Sequence, residues 1–152
     1  MQRTTSRDAV DRMDILLVED NLEDAKATIQ ALKSGNVQCQ VSLVCDDEEA
    51  ISFLYRKGEF AQAPTPNLIL LNMQLPKKEG QHVLAEIRAS EELKDIPVVV
   101  LTGSLDHRAI LQVQELHVDG FMTKPVELDK FIGVVKSRRR SWLAELVLSS
   151  TA

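Results

Sequence analysis

The sequence holds only two cysteines in 152 residues, too few for a disulfide scaffold. Cys39 and Cys45 are an even number of positions apart, so one extended strand would carry both on the same face. A bridge between them would have to span about 20 Å between Cα atoms. Both are therefore read as small buried or half-buried side chains in a reducing cytosol. The three histidines, His82, His107 and His117, do not join the cysteines in any zinc-site spacing. No apolar run exceeds strand length, which argues against a membrane span. The opening MQRTTSRDAVDRM lacks the apolar stretch of a secretion signal, and the expected location is cytoplasmic. Glycine-rich phosphate loops of the GxGxxG or GxxxxGKS kind are also missing. With 18 basic and 23 acidic residues the net charge is −5, which argues against nucleic acid and anionic lipid as partners.

What remains is ordinary globular composition, 44% apolar and 27% charged. The length suits one domain and leaves no room for a second. Residues 1–13 are polar, mixed in charge and without periodicity, and read as a tail. A regular alternation follows. Ile15-Leu16-Leu17-Val18, Val37 to Val44, Leu68-Ile69-Leu70-Leu71, Ile96 to Leu101 and Asp119 to Thr123 read as strands, several of them apolar at every position. Between and after them run helical patterns: Leu22, Ala25, Ile29 and Leu32; then Asp46 to Lys57 with Ala50, Ile51, Leu54 and Tyr55 on its apolar side. Val83, Leu84 and Ile87 mark a third, Ile110, Leu111, Val113 and Leu116 a fourth, and Leu128, Phe131, Ile132 and Val135 a fifth. Residues 58–66 form a loop, with Pro64 and Pro66 excluding regular structure. Five βα units imply an α/β fold, a doubly wound five-stranded parallel sheet in the flavodoxin-like order 2-1-3-4-5.

In such a sheet, ligands bind beyond the carboxyl ends of the strands, where the strand order switches. Those ends carry Glu19 and Asp20, Asn72, Thr102 and Lys124. Adjacent carboxylates make a hard-oxygen site suited to Mg²⁺, and a hydroxyl and an ammonium are donors for phosphate oxygens. The set would serve phosphoryl transfer except for its nucleophile, because Asn72 has the shape of aspartate without the charge. Taken singly, each residue is unremarkable: a polar residue after a strand, a turn asparagine, a solvated lysine. Their joint position at successive strand ends is what points to one pocket.

The segments Ile15-Leu16-Leu17-Val18-Glu19-Asp20-Asn21, Leu68-Ile69-Leu70-Leu71-Asn72, Val99-Val100-Leu101-Thr102-Gly103-Ser104 and Phe121-Met122-Thr123-Lys124-Pro125 together resemble the receiver domain of two-component response regulators. Met73 to Gly80 resembles the Leu-Pro-x-x-x-Gly loop that follows the phosphorylation site in that family. The long loop 58–66, residues 72–84 and the tail with Trp142 resemble the regulators of bacterial phytochrome-type histidine kinases. The resemblance implies a tail at 1–13, a receiver at 14–137 and a C-terminal helical extension at 138–152. It implies that Glu19 and Asp20 bind Mg²⁺, helped by the backbone carbonyl of Gln74. It further implies that Thr102 and Lys124 contact a phosphoryl group, that Phe121 is a switch aromatic, and that Lys124-Pro125 is a cis peptide. The departure is Asn72 at the phosphoacceptor position, where the nucleophile is lost and metal binding should weaken. Two readings stay open: a natural pseudo-receiver, or a receiver whose aspartate was replaced.

The tail supplies a basic patch, Arg138-Arg139-Arg140, and then an apolar stripe in which Trp142, Leu143 and Leu146 continue the last helix. A protruding stripe with a tryptophan suggests a homodimer surface. The expected function is a stand-alone, non-enzymatic signalling module that takes input from a sensor histidine kinase and acts by protein contact. A phosphorylation-independent adaptor is the alternative. A metal-dependent phosphatase or nucleotide enzyme fits less well, because the first strand–helix turn is acidic rather than glycine-rich.

Overall fold

The computed structural model describes residues 13–34, 39–73, 79–103 and 118–137. Five strands, β1 (Met13–Val18), β2 (Cys39–Val44), β3 (Leu68–Asn72), β4 (Val98–Thr102) and β5 (Gly120–Thr123), form one sheet in the order β2-β1-β3-β4-β5. All pairings are parallel, with Val18 opposite Val44 and Leu71, Leu71 opposite Val100, and Thr102 opposite Thr123. Four helices are described: α1 (Leu22–Lys33), α2 (Asp47–Leu54), α3 (Glu79–Ala89) and α4 (Leu128–Ser137). The expected helix carrying Ile110 to Leu116 lies outside the described residues, as do residues 1–12 and the tail with Trp142, Leu143 and Leu146. Among the described residues no helix is long and apolar enough to cross a membrane.

The all-apolar strands are buried on both faces, and their alternation sorts side chains into two cores. Leu16, Val18, Ile69, Leu71, Val98 and Val100 pack under Ala50, Phe53 and Leu54 of α2 and Val83, Leu84 and Ile87 of α3. Met13, Ile15, Leu17, Leu68, Leu70, Val99 and Leu101 pack under Ala25 and Leu32 of α1 and Phe131 of α4. Burying each such side chain contributes about 1.5–3 kcal/mol.

Several local expectations are corrected. β1 starts at Met13, fully buried, so the strand reaches into the segment read as tail. Leu22 was expected on the apolar stripe of α1 but is 60% exposed. It is the first helical residue after the N-cap Asn21 and stands outside the buried stripe, which is Ala25, Thr28 and Leu32. α2 ends at Leu54 rather than Lys57, and buries Phe53 where Ile51 was expected. It closes with Lys57 N–H donating to Ser52 O and Arg56 N–H to Phe53 O, which puts Arg56 in the left-handed region at φ 54°. The loop 58–66 is not wholly irregular: Gly58–Phe60 forms a 3₁₀ turn that sets Phe60 against Phe53, with ring centroids 5.4 Å apart. β4 starts at Val98, with Ile96-Pro97 just before it.

Gly80 sits in the first turn of α3, close to the end of β3. A Cβ there would lie 3.0 Å from Asn72 O and 3.1 Å from Met73 Cα, so glycine is what lets helix and strand end meet. At the opposite end of the sheet, Asp119 Oδ2 accepts from Val98 N–H at 2.8 Å and from Arg88 at 3.2 Å, tying α3 to the start of β4.

Candidate functional site

The register brings the polar strand ends side by side. Val18 pairs with Leu71, so Glu19 and Asn72 follow on adjacent strands. The chain continues into α1, whose N-cap Asn21 accepts from Asp24 N–H at 3.0 Å through its side chain. Asn21 N–H in turn donates to Glu19 Oε2 at 3.1 Å. The acidic turn is thereby built into the helix start, with Glu23 and Asp24 in the first turn, where a helix favours negative charge.

Glu19 is fully buried and Asn72 is 2% exposed. Asn72 Nδ2 donates to Glu19 Oε2 at 2.8 Å and to Asp20 Oδ1 at 3.2 Å. This orientation of the amide is the one the chemistry demands, since Oδ1 in the same place would oppose two carboxylate oxygens. The other oxygen of Glu19, Oε1, accepts from Lys124 Nζ at 3.0 Å, and Lys124 Nζ also donates to Asp24 Oδ2 at 2.8 Å. Burial works against the Lys124 charge. Its hydrogen bonds to Asp24 and Glu19, and then their charges, outweigh that and hold the ammonium above its usual range. Buried charges persist when paired and hydrogen-bonded in this way.

Of the residues expected from the sequence, Glu19, Asp20, Asn72 and Lys124 form one bonded cluster. Thr102 closes β4, the neighbour of β3, is buried, and its carbonyl accepts Lys124 N–H at 2.8 Å. Phe121 is half-buried on β5 and packs against the core beneath α2 and α3. Lys124-Pro125 is cis, as expected. Gln74 lies outside the described residues. Asp24 is the residue sequence reasoning missed. Its position one turn after the acidic pair is the available signal.

For a divalent cation the donors fit in kind. Two carboxylates, Glu19 and Asp20, converge on one point, and hard oxygen ligands suit Mg²⁺ or Mn²⁺. That point is where the Asn72 amide nitrogen now donates to both of them. Among the described residues no group of three acidic, histidine or cysteine side chains is arranged to hold a metal, so carbonyls or water would be the further ligands these residues leave to it. The rim is strongly negative. Burial first, and then Glu49, Asp46 and Asp20, push the Cys45 thiol above its ordinary range.

Comparisons with known proteins agree with this geometry. Residues 15–136 match the family model described as the response regulator receiver domain. The chain is 40% identical over 134 residues to response regulator Rcp1 of Synechocystis sp., covering 88% of this chain and 91% of the relative. The crystal structure of the Mn²⁺-bound form of Rcp1 is 41% identical with a TM-score of 0.68, covering 80% of this chain and 88% of that one. The phosphorylated cyanobacterial phytochrome response regulator RcpA is 41% identical with a TM-score of 0.71, covering 88% and 96%. With this match over residues 15–136 and with the strand order and the acidic turn in place, the chain belongs to the response regulator receiver family.

Proposed function

We propose that this chain is a stand-alone receiver of a phytochrome-type two-component pathway, and that as written it signals by protein contact without forming an acyl phosphate at residue 72. The observation that carries the proposal is the Asn72 amide. Its nitrogen is bonded to both carboxylates, and a carboxamide is no nucleophile toward phosphorus. The likeness to RcpA and Rcp1 supports a histidine kinase as the input partner. The receiver reading gives each remaining residue a role. Glu19 and Asp20 hold Mg²⁺, with the Gln74 carbonyl as a further ligand, and the missing charge at 72 weakens that site. Thr102 and Lys124 face an incoming phosphoryl group. Phe121, half-buried at the edge of the core, is the aromatic that turns between two positions. Trp142, Leu143 and Leu146 form a homodimer surface. The metal, when bound, would screen the carboxylates and draw a phosphodonor in.

The test is mass spectrometry after incubation with Mg²⁺ and acetyl phosphate. The unaltered chain gains no mass. Asn72→Asp gains one phosphoryl group, as the new carboxylate oxygen bonds to phosphorus and acetate leaves. Labelling of the unaltered chain at residue 72 refutes the proposal. No labelling of a folded Asn72→Asp chain points instead to a phosphorylation-independent adaptor, a reading favoured by how fully the amide is integrated with Glu19 and Asp20. Kinase binding that ignores the residue at 72 would mark that case.

A further inference from the structure

Lys124 is moored twice, to Glu19 Oε1 at 3.0 Å and to Asp24 Oδ2 at 2.8 Å. An ammonium has three donors, so two are committed to carboxylates and one is left for another acceptor. The two anchors come from different elements, the end of β1 and the first turn of α1. Asp24 is itself held by the Asn21 cap, and Asn21 N–H is tied back to Glu19. The Lys124 side chain is only 13% exposed while that of Asp24 is 43% exposed, so the pair bridges the inside of the site and its rim. Beside it lies a cavity of about 170 Å³ lined by Asp24, Ala27, Thr28, Lys124 and Pro125, room into which the lysine can swing.

We propose that Asp24 is a positioning residue that parks Lys124 against α1 and competes with an incoming tetrahedral oxyanion for its charge. The tether follows from the geometry alone; the competition rests on the receiver reading above. Two effects oppose each other here. A second anchor orients the lysine, which favours an anion, and it adds a negative charge beside the anion, which disfavours it. Glu19 is fully buried and already keeps Nζ within the site, so the Asp24 tether holds the ammonium toward α1 rather than toward an anion, and it adds a whole charge. The charge effect wins. Part-exposed ion pairs of this kind are worth up to about fivefold in an equilibrium.

Two measurements on the full-length chain test this. In the ¹⁵N-labelled unaltered protein, the Lys124 side-chain ammonium exchanges slowly with water. Asp24→Asn speeds that exchange about three- to fivefold, and Asp24→Glu restores most of the protection. Glu23→Gln, which removes the exposed neighbouring carboxylate, leaves it unchanged. Equal exchange in all four chains overturns the tether. The second measurement uses Asn72→Asp with Mg²⁺ and beryllofluoride, whose beryllium exchanges a bound water for the introduced carboxylate oxygen, followed by ¹⁹F NMR. Adding Asp24→Asn tightens binding about three- to fivefold, and adding Glu23→Gln does not. Equal affinities, or equal tightening by Glu23→Gln, overturn the competition. An Asn72→Asp chain that binds no beryllofluoride overturns the receiver reading and the competition with it, while the tether is decided by the exchange measurement.

Discussion

Substituting aspartate for Asn72 changes the side chain by little in shape and reverses the electrostatics of the site. The amide nitrogen now donates to a fully buried carboxylate at 2.8 Å and to an exposed one at 3.2 Å. A hydrogen bond to a charged partner is worth about 1.5–3 kcal/mol, and the bond to Glu19 carries most of that because Asp20 is solvated. In the variant an oxygen faces Glu19 instead. Two carboxylates relaxed to 4 Å repel by about 4 kcal/mol at an effective dielectric of about 20. Uptake of a proton limits the penalty, since neutralising a carboxyl of ordinary strength at pH 7 costs about 4 kcal/mol. Lys124, bonded to the far oxygen of Glu19, offsets a further part. The net expectation is a loss of about 3–5 kcal/mol without divalent cation. In a domain of this size that lowers Tm by about 10–15 °C.

The assay is thermal or urea unfolding of both chains, in EDTA and in millimolar Mg²⁺. In EDTA at neutral pH the Asn72→Asp chain is the less stable. The gap narrows as pH falls, because the introduced carboxyl gains a proton and the repulsion disappears. Mg²⁺ narrows it at neutral pH. A ligand bound only to the folded state adds about 2.7 kcal/mol at a hundred times its Kd, and the variant offers the cation one more charged oxygen. The unaltered chain gains less, because its amide competes for the same carboxylates. Equal stability of the two chains in EDTA refutes the reasoning, and so does equal stabilisation of both by Mg²⁺.

Gly80→Ala separates packing from propensity. Helix preference alone favours alanine by about 1 kcal/mol, but the new Cβ at 3.0 Å from Asn72 O forces α3 outward, and urea unfolding should show a net loss of about 1–3 kcal/mol. Arg56→Gly works in the other direction. Relieving an arginine at φ 54° should raise stability by about 1 kcal/mol in the same assay, and a loss would mean that the Arg56 side chain makes a contribution larger than the backbone strain.

How much of this was legible in the sequence depends on which force decided each position. The strands were legible because residues such as Leu68 to Leu71 are apolar at every position, and only a doubly covered parallel strand hides both faces. The sheet order and the convergence of Glu19, Asn72 and Lys124 followed from that alternation. What could not be read was which positions of a helix meet the sheet. Leu22 has the right spacing for the core of α1 but stands exposed in its first turn, and the polar Thr28 is buried in the stripe instead. Phe53 replaced Ile51 for a similar reason. The 3₁₀ turn brings Phe60 back onto α2, a tertiary contact that helical periodicity does not encode.

Asp24 shows the same limit within the site. As a local feature it is a helix-start acid, favoured there by the macrodipole whatever lies nearby. Its second role depends on Lys124, 100 residues further along the chain, and on a crossover that returns β5 to the far side of the sheet while its end still reaches the first turn of α1. Asn72 is the converse. Its chemistry is plain from the residue type, but its effect on the fold is not, because the amide supplies two positive hydrogens at the point where Glu19 and Asp20 converge. A cation would satisfy the same oxygens with more charge and would leave the residue at 72 free to be an acceptor. On the proposed reading, the amide stabilises its two carboxylate neighbours by the interaction that weakens their hold on a metal, so asparagine at this position would trade response to a cation for stability without one.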